Sequence, residues 1–172
     1  AAPSCGDSQG LAAVLRARLG EDRVRVNLPL APWTTFRIGG PADVVVELEH
    51  PDELCLVLDH AQRHLVPVTV LGGGSNVLVA DGGVRGLVLR LRFRGIEMIG
   101  PSDVRVGSGV TMNGLVRWTV ARGLGGVERW AGTPGTVGGA ICGNAHFGGR
   151  SIAERVATVD LMSPEGQLVV VP

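Results

Sequence analysis

Two glycine-rich stretches carry the chemistry that can be read from this chain. In VTVLGGGSNVLVADGG, residues 68–83, an apolar run leads into Gly72, Gly73, Gly74, Ser75, Asn76 and Val77 before a second apolar run begins. Consecutive backbone N–H groups after a strand can turn inward as an anion nest, and glycine tolerates the positive φ that a nest requires. Ser75 and Asn76 add side-chain donors. The natural guest is a phosphate or pyrophosphate. One such contact contributes about 0.3–1 kcal/mol, rising to ~2 kcal/mol when partly buried, so several donors must converge to hold a dinucleotide. The second stretch, WAGTPGTVGGAICGNAHFGG at 130–149, offers that convergence with seven glycines and the hydroxyls of Thr133 and Thr136. Neither stretch matches GxGxxG or the GxxxxGK motif followed by Ser or Thr, which disfavours a Rossmann site and a P-loop alike.

Other reactive residue types give weaker signals. His60 and His64 stand one helical turn apart, the spacing of a metal pair, but no third ligand accompanies them and a solvated helix face is expected. Cys5, Cys55 and Cys142 form no CxxC pair and read as small buried hydrophobes in a reducing compartment. Arg155 reads as a strand-entry residue or a surface ion-pair partner rather than a catalytic group. Sixteen basic residues balance sixteen acidic ones, so no global field favours nucleic acid or an anionic membrane, and any bound anion must be held locally. No apolar run approaches the roughly 18 residues of a membrane span, and the start lacks the pattern of a signal peptide. A cytoplasmic protein is expected.

The elements that position these loops follow from periodicity. At 172 residues and 45% hydrophobic content the chain can bury a core. Its 27 glycines are about twice the usual share and cluster between apolar segments, where tight turns or close approaches belong. A lead-in helix is expected from a Ser8 cap to Gly20, with Leu11, Val14, Leu15 and Leu19 on its inner face. A strand at 42–49, a helix opened by Pro51 with Leu54, Val57, Leu58 and Ala61 inward, and a strand at VPVTVLG form a crossover unit with parallel strands. Strands at 84–92 and 102–109 follow. A helix over 111–123 presents Met112, Leu115, Val116 and Val120 on one face. A helical turn over Val137–Cys142 and a hairpin around Pro164 to Gly166 complete the chain. We expect a lead-in at 1–27, a first subdomain at 28–98 and a second at 99–172.

Four segments then resemble a known family. TTFRIGGPAD (34–43), VLGGGSNVLVADGGVRGLVL (70–89), GLGGVERWAGTPGTVGGA (123–140) and GNAHFGGRSI (143–152) occur in the order and at the approximate spacing found in UDP-N-acetylenolpyruvoylglucosamine reductases, also called UDP-N-acetylmuramate dehydrogenases. The resemblance runs from about Leu28 to the end. It implies an α+β FAD-binding fold of the vanillyl-alcohol oxidase and p-cresol methylhydroxylase type, with the flavin between two α/β subdomains. The implied reaction is the NADPH-dependent, FAD-mediated reduction of UDP-N-acetylglucosamine enolpyruvate to UDP-N-acetylmuramate in peptidoglycan synthesis. By the same resemblance, Gly72, Gly73, Gly74, Ser75, Asn76 and Val77 would wrap the FAD pyrophosphate. Gly132, Thr133, Pro134, Gly135, Thr136, Gly138, Gly139 and Ala140 would line the ribityl chain and the ring through backbone donors. Asn144, Ala145, His146 and Ile152 would edge the cofactor.

The match has departures. Thr34 and Thr35 stand where the family usually has Asn-Thr, and Cys142 to Gly148 replace its Met-Asn-Ala-Gly-Ala-Tyr-Gly. Covalent flavin attachment through His146 is disfavoured, because this family holds FAD noncovalently. The family's catalytic Arg, Ser and Glu belong to segments that follow the equivalent of Pro172. The expectation is therefore a chain supplying the FAD-binding half, with no catalytic residue of its own and no turnover alone. Another noncovalent FAD oxidoreductase of the same fold, and a non-catalytic fragment, are the alternatives.

Overall fold

A computed structural model describes residues 5–172, with side chains from Ser8 onward. The first lobe is built on a four-stranded sheet in the order β1-β2-β4-β3, formed by β1 (Val24–Pro29), β2 (Pro41–Leu48), β3 (Val68–Val70) and β4 (Val84–Leu91). β4 pairs in parallel with both β2 and β3, so the expected crossover unit is present but its two strands flank a third. β1, which composition did not reveal, adds an antiparallel edge to β2 with Val24 opposite Val46. It straddles the boundary expected at Leu28.

Two helices cover one face of this sheet. α1 (Cys5–Leu19) places Leu11, Ala12, Leu15 and Leu19 against Val44, Val46, Leu87 and Leu89. The helix starts before Ser8, which is buried inside it rather than capping it. Val14 is 45% exposed and Ala12 takes the expected inward place, because a methyl lets the helix axis approach the sheet where a valine would hold it off. α2 (Pro51–Arg63) buries Leu54, Val57 and Ala61, with Pro51 in the first turn and a His50/Glu53 capping box. The opposite sheet face carries Val45 and Val88, packed with Leu30, Ala42 and Leu71. Burial on both faces explains why β2 reads as an unbroken valine run.

A second core gathers α3 (Met112–Val120), α4 (Val137–Cys142) and Trp130 around Val110, Met112, Leu115, Val116, Val137, Ala140 and Ile152. The hairpin of β5 (Ile96–Met98) with β6 (Val104–Val106) packs against it, and β5 was not expected. On α3 the expected Val120 is 57% exposed and Thr119 is buried instead. Its hydroxyl donates back to the Leu115 and Val116 carbonyls at 3.1 and 3.0 Å, so its polarity is satisfied inside the core.

A short β7 (His146–Phe147) and β8 (Arg150–Ser151) form a tight hairpin beside this core. The expected terminal hairpin is β9 (Val159–Met162) with β10 (Leu168–Val171), closed by a turn at Gly166. It returns to the first lobe, where Cys55 Sγ lies 3.6 Å from both Met162 Sδ and the Gly166 carbonyl. Cys142 is exposed, against the expectation of a buried thiol, because it ends a six-residue helix at the surface. The expectation for the Cys5 side chain falls outside the described residues. Among those described, no helix is long and apolar enough to cross a membrane.

Candidate functional site: two glycine loops in contact

The first loop leaves β3 through Leu71, which is buried and donates its N–H to the Leu89 carbonyl at 2.9 Å. Gly74 adopts φ +69°, and a Cβ there would sit 2.0 Å from the Trp33 carbonyl oxygen. A Cβ on Gly73 would sit 2.6 Å from the Cα of Gly135, and one on Gly72 would sit 2.9 Å from Thr136 Oγ1. The bare backbone is thus required by close chain-to-chain approach: the first loop seats directly on the second and on the Trp33–Thr34 segment. Ser75 Oγ reaches the Pro134 carbonyl at 3.4 Å, and the Thr35 N–H donates to the Gly74 carbonyl at 2.9 Å.

Seating the loop this way leaves its donors unspent. Among the described residues, none of the N–H groups of Gly72, Gly73, Gly74, Ser75, Asn76 and Val77 donates to a protein acceptor. Six consecutive free donors, with a left-handed residue among them, are the makings of an anion nest. The second loop is different. Gly132 donates to Asn113 Oδ1 at 2.6 Å, Thr133 to the Trp130 carbonyl, Val137 to Val110, Gly138 to Ser108 and Ala140 to Thr136. Pro134 has no N–H. Gly135 and Thr136 keep theirs, and Gly139 makes only a 3.4 Å contact with Thr136 Oγ1, which caps α4. Most of this loop's donors therefore hold the loop itself.

The third group does not meet the others as a ring of donors. Asn144 sits at φ +41°, and its Oδ1 accepts from Ser151 Oγ at 2.8 Å and from the Ala153 N–H at 3.4 Å. Its side chain closes the β7–β8 hairpin. The Ala145 N–H donates to Ala140, Ile152 is buried in the second core, and His146 stands exposed on β7 opposite Ser151.

Positive charge gathers around the Trp33 ring. The guanidinium of Arg90 lies 4.2 Å from the Trp33 ring centroid and that of Arg25 lies 5.7 Å from it, on the residue whose carbonyl abuts Gly74. Burial pushes the Arg90 guanidinium below its ordinary pKa; Glu47 opposes that, while Arg92, Arg25 and Arg94 add to it. Glu47 pairs with Arg90 at 3.4 Å and with Arg92 at 3.5 Å, one carboxylate among four cations. A cavity of about 250 Å³ runs along the end of the first loop, lined chiefly by Leu30, Val70, Leu71, Val77, Leu78 and Val79. Free donors flanked by an apolar groove fit a nucleotide with a diphosphate bridge.

Other candidates are now placed. The His60 and His64 rings stand 4.4 Å apart, and no group of three metal-ligating side chains exists among the described residues. Arg155 is in neither a strand nor an ion pair of the described residues. It ends a 3-10 turn, Ile152–Arg155, and lines a cavity with Arg129, a residue that no sequence signal singled out. The Trp33–Arg90–Arg25 cluster was also unforeseen, because it assembles from three separate strands and turns.

Comparison with known proteins matches this chain to a family. The model of the FAD binding domain matches residues 42–172. The chain is 43% identical over 143 residues to UDP-N-acetylenolpyruvoylglucosamine reductase of Rubrobacter xylanophilus, covering 82% of this chain and 48% of that protein. The crystal structure of the corresponding reductase from Thermus caldophilus superposes with a TM-score of 0.72 at 33% identity, over 86% of this chain and 52% of that one. p-Cresol methylhydroxylase shares the fold, with a TM-score of 0.54 at 18% identity over 70% of this chain and 26% of that one. The chain spans about half the length of the curated relatives it matches. The chain belongs to the FAD binding domain family, and p-cresol methylhydroxylase shares its α+β fold.

Proposed function

We propose that this chain binds FAD noncovalently and supplies the FAD-binding half of a UDP-N-acetylenolpyruvoylglucosamine reductase. The observation that carries the proposal is the run of free N–H groups from Gly72 to Val77, held open by contact with Gly135 and Thr136. These donors would hold the pyrophosphate. The free N–H groups of Gly135 and Thr136 would extend the same cradle, while Gly132, Thr133, Gly138, Gly139 and Ala140 would shape it from behind. The apolar groove along Val77 to Val79 would exclude water from one nucleotide face. Asn144, Ala145 and Ile152 would keep the His146 hairpin at the edge of the site. FAD, when bound, supplies hydride transfer from NADPH to the enolpyruvyl double bond of UDP-N-acetylglucosamine enolpyruvate. A soluble cytoplasmic setting agrees with that substrate.

Incubation with FAD followed by gel filtration tests the binding step. Yellow absorbance should coelute with the protein and should be released on denaturation. Colourless protein would overturn the reading, and flavin retained after denaturation would instead indicate a covalent bond, for which His146 is the exposed candidate. The reaction class is tested by anaerobic reoxidation of reduced, FAD-loaded protein that also carries the remaining length of the relatives. Reoxidation should require the enolpyruvyl sugar nucleotide. Equal rates with and without it would leave flavin binding alone.

A further inference from the structure

A second cavity, of about 340 Å³, is lined by Gly126, Glu128, Arg129 and Arg155, none of which belongs to either glycine loop. We propose that it is an oxyanion site that takes a singly charged carboxylate or phosphodiester group carried on a small organic ligand. Both cations are presented by anchored turns. Arg129 precedes Trp130, which is 1% exposed in the second core, and Arg155 closes the turn that begins at the buried Ile152. That turn is fixed at its start by the reciprocal Ser151/Glu154 capping box.

Neither arginine has a carboxylate partner among the described residues. Glu154, adjacent in sequence to Arg155, pairs with Arg150 at 2.6 Å. Glu128, adjacent to Arg129, turns its carboxylate onto the Gly126 N–H. Backbone hydrogen bonds, from its own N–H and from that of Gly126, hold the Glu128 carboxyl below its ordinary pKa, and the attraction of Arg129 and Arg155 adds to this. At neutral pH two guanidinium charges therefore face one carboxylate, one of whose oxygens accepts from the Gly126 N–H. The cavity is left with a net single positive charge and unspent, forked N–H donors, the arrangement that matches a planar carboxylate or a phosphodiester.

Gly126 keeps the mouth clear. It adopts φ +110°, and a Cβ there would lie 3.4 Å from Cζ of Arg155, so the guanidinium rests against bare backbone. The volume is several times that of an inorganic ion and falls in the range of small organic ligands. The rim on the Arg129 side reaches the β7–β8 hairpin, where a Cβ on Gly148 would lie 3.9 Å from Arg129 Nη1.

The test is titration of the 15N-labelled chain with lactate and, separately, with dimethyl phosphate, followed by the Nε–H resonances of Arg129 and Arg155 and by the Trp130 indole N–H. Saturable shifts with either anion are expected, and the anion that saturates at lower concentration identifies the group. R129Q and R155Q should each weaken the response about tenfold. E128Q, which removes the competing charge and keeps the shape, should tighten it by about threefold. No saturable shift with either anion, or an undiminished response in the R129Q/R155Q double variant, would overturn the proposal. The titration is run on flavin-free and FAD-loaded protein, so a failure to bind flavin is scored separately from a failure to bind these anions.

Discussion

The two glycine loops are alike in composition and opposite in economy. In the first, Gly72 to Val77 keep their N–H groups free while their missing side chains let the backbone seat on its neighbours. In the second, glycines again allow close approach, but most N–H groups are consumed by Asn113, Ser108, Val110, Trp130 and Thr136. One loop is a surface presented to a ligand; the other is the support that holds it. Glycine content alone does not separate these roles, whereas accounting for each donor does.

The comparison can be broken experimentally. Gly74→Val should have the largest effect, because it sets a branched side chain at φ +69° against the Trp33 carbonyl. We expect destabilisation of about 3 kcal/mol and a fall in FAD affinity of about a hundredfold, read by urea unfolding and by flavin fluorescence titration. Gly138→Ala would place its Cβ 2.8 Å from that of Ser108 and should cost about 1–2 kcal/mol in stability. At a temperature where the variant remains folded, its FAD affinity should fall less than fivefold, since the Gly138 N–H is already spent. Equal loss of affinity in the two variants would erase the distinction between presenting and supporting loops.

Two smaller changes sharpen it. Thr136→Val removes the α4 cap and should cost about 1 kcal/mol, with only a secondary loss of affinity. Glu53→Gln lies on α2, away from both loops. Burial alone would raise the Glu53 carboxyl, but hydrogen bonds from the Glu49 N–H, from Arg23 and from the His50 N–H outweigh it and hold the pKa below 4.5. The stability Glu53 contributes is therefore complete above the unfolded value near 4.5 and is lost as pH falls through the lower folded value. The variant should flatten that acid limb of the unfolding curve and leave FAD affinity unchanged. A change in affinity would show that the sheet lobe and the loops are coupled.

Much of this was legible in the sequence. Val137–Cys142 was readable as a helical turn, and Pro51 with its apolar stripe fixed α2, because local signals there agree with the packing. β1 was obscured because its six residues, VRVNLP, are interrupted by Asn27, at φ 51°, and closed by Pro29, and it exists because β2 offers an edge to pair with. Val14 and Val120 were misread for one reason: periodicity ranks residues by hydrophobicity, whereas the core selects Ala12 for size and Thr119 for a hydroxyl that can bond backward. The glycine loops were visible as loops, but their contact is a tertiary fact. The cations at Trp33 and at the Arg129–Arg155 cavity were invisible because arginines 65 residues apart on β1 and β4, or in two separate turns, share no sequence pattern.

The contact of Cys55 with the closing hairpin has a mechanical consequence. The later half of the chain is pinned to the earlier half at two distant points, once where Gly73 meets Gly135 and once where α2 meets Met162 and Gly166. A body fastened twice cannot swing about one pivot. Rotation about the line joining the two contacts would leave both intact; any other relative movement of the halves must part the loops or break the Cys55 contacts.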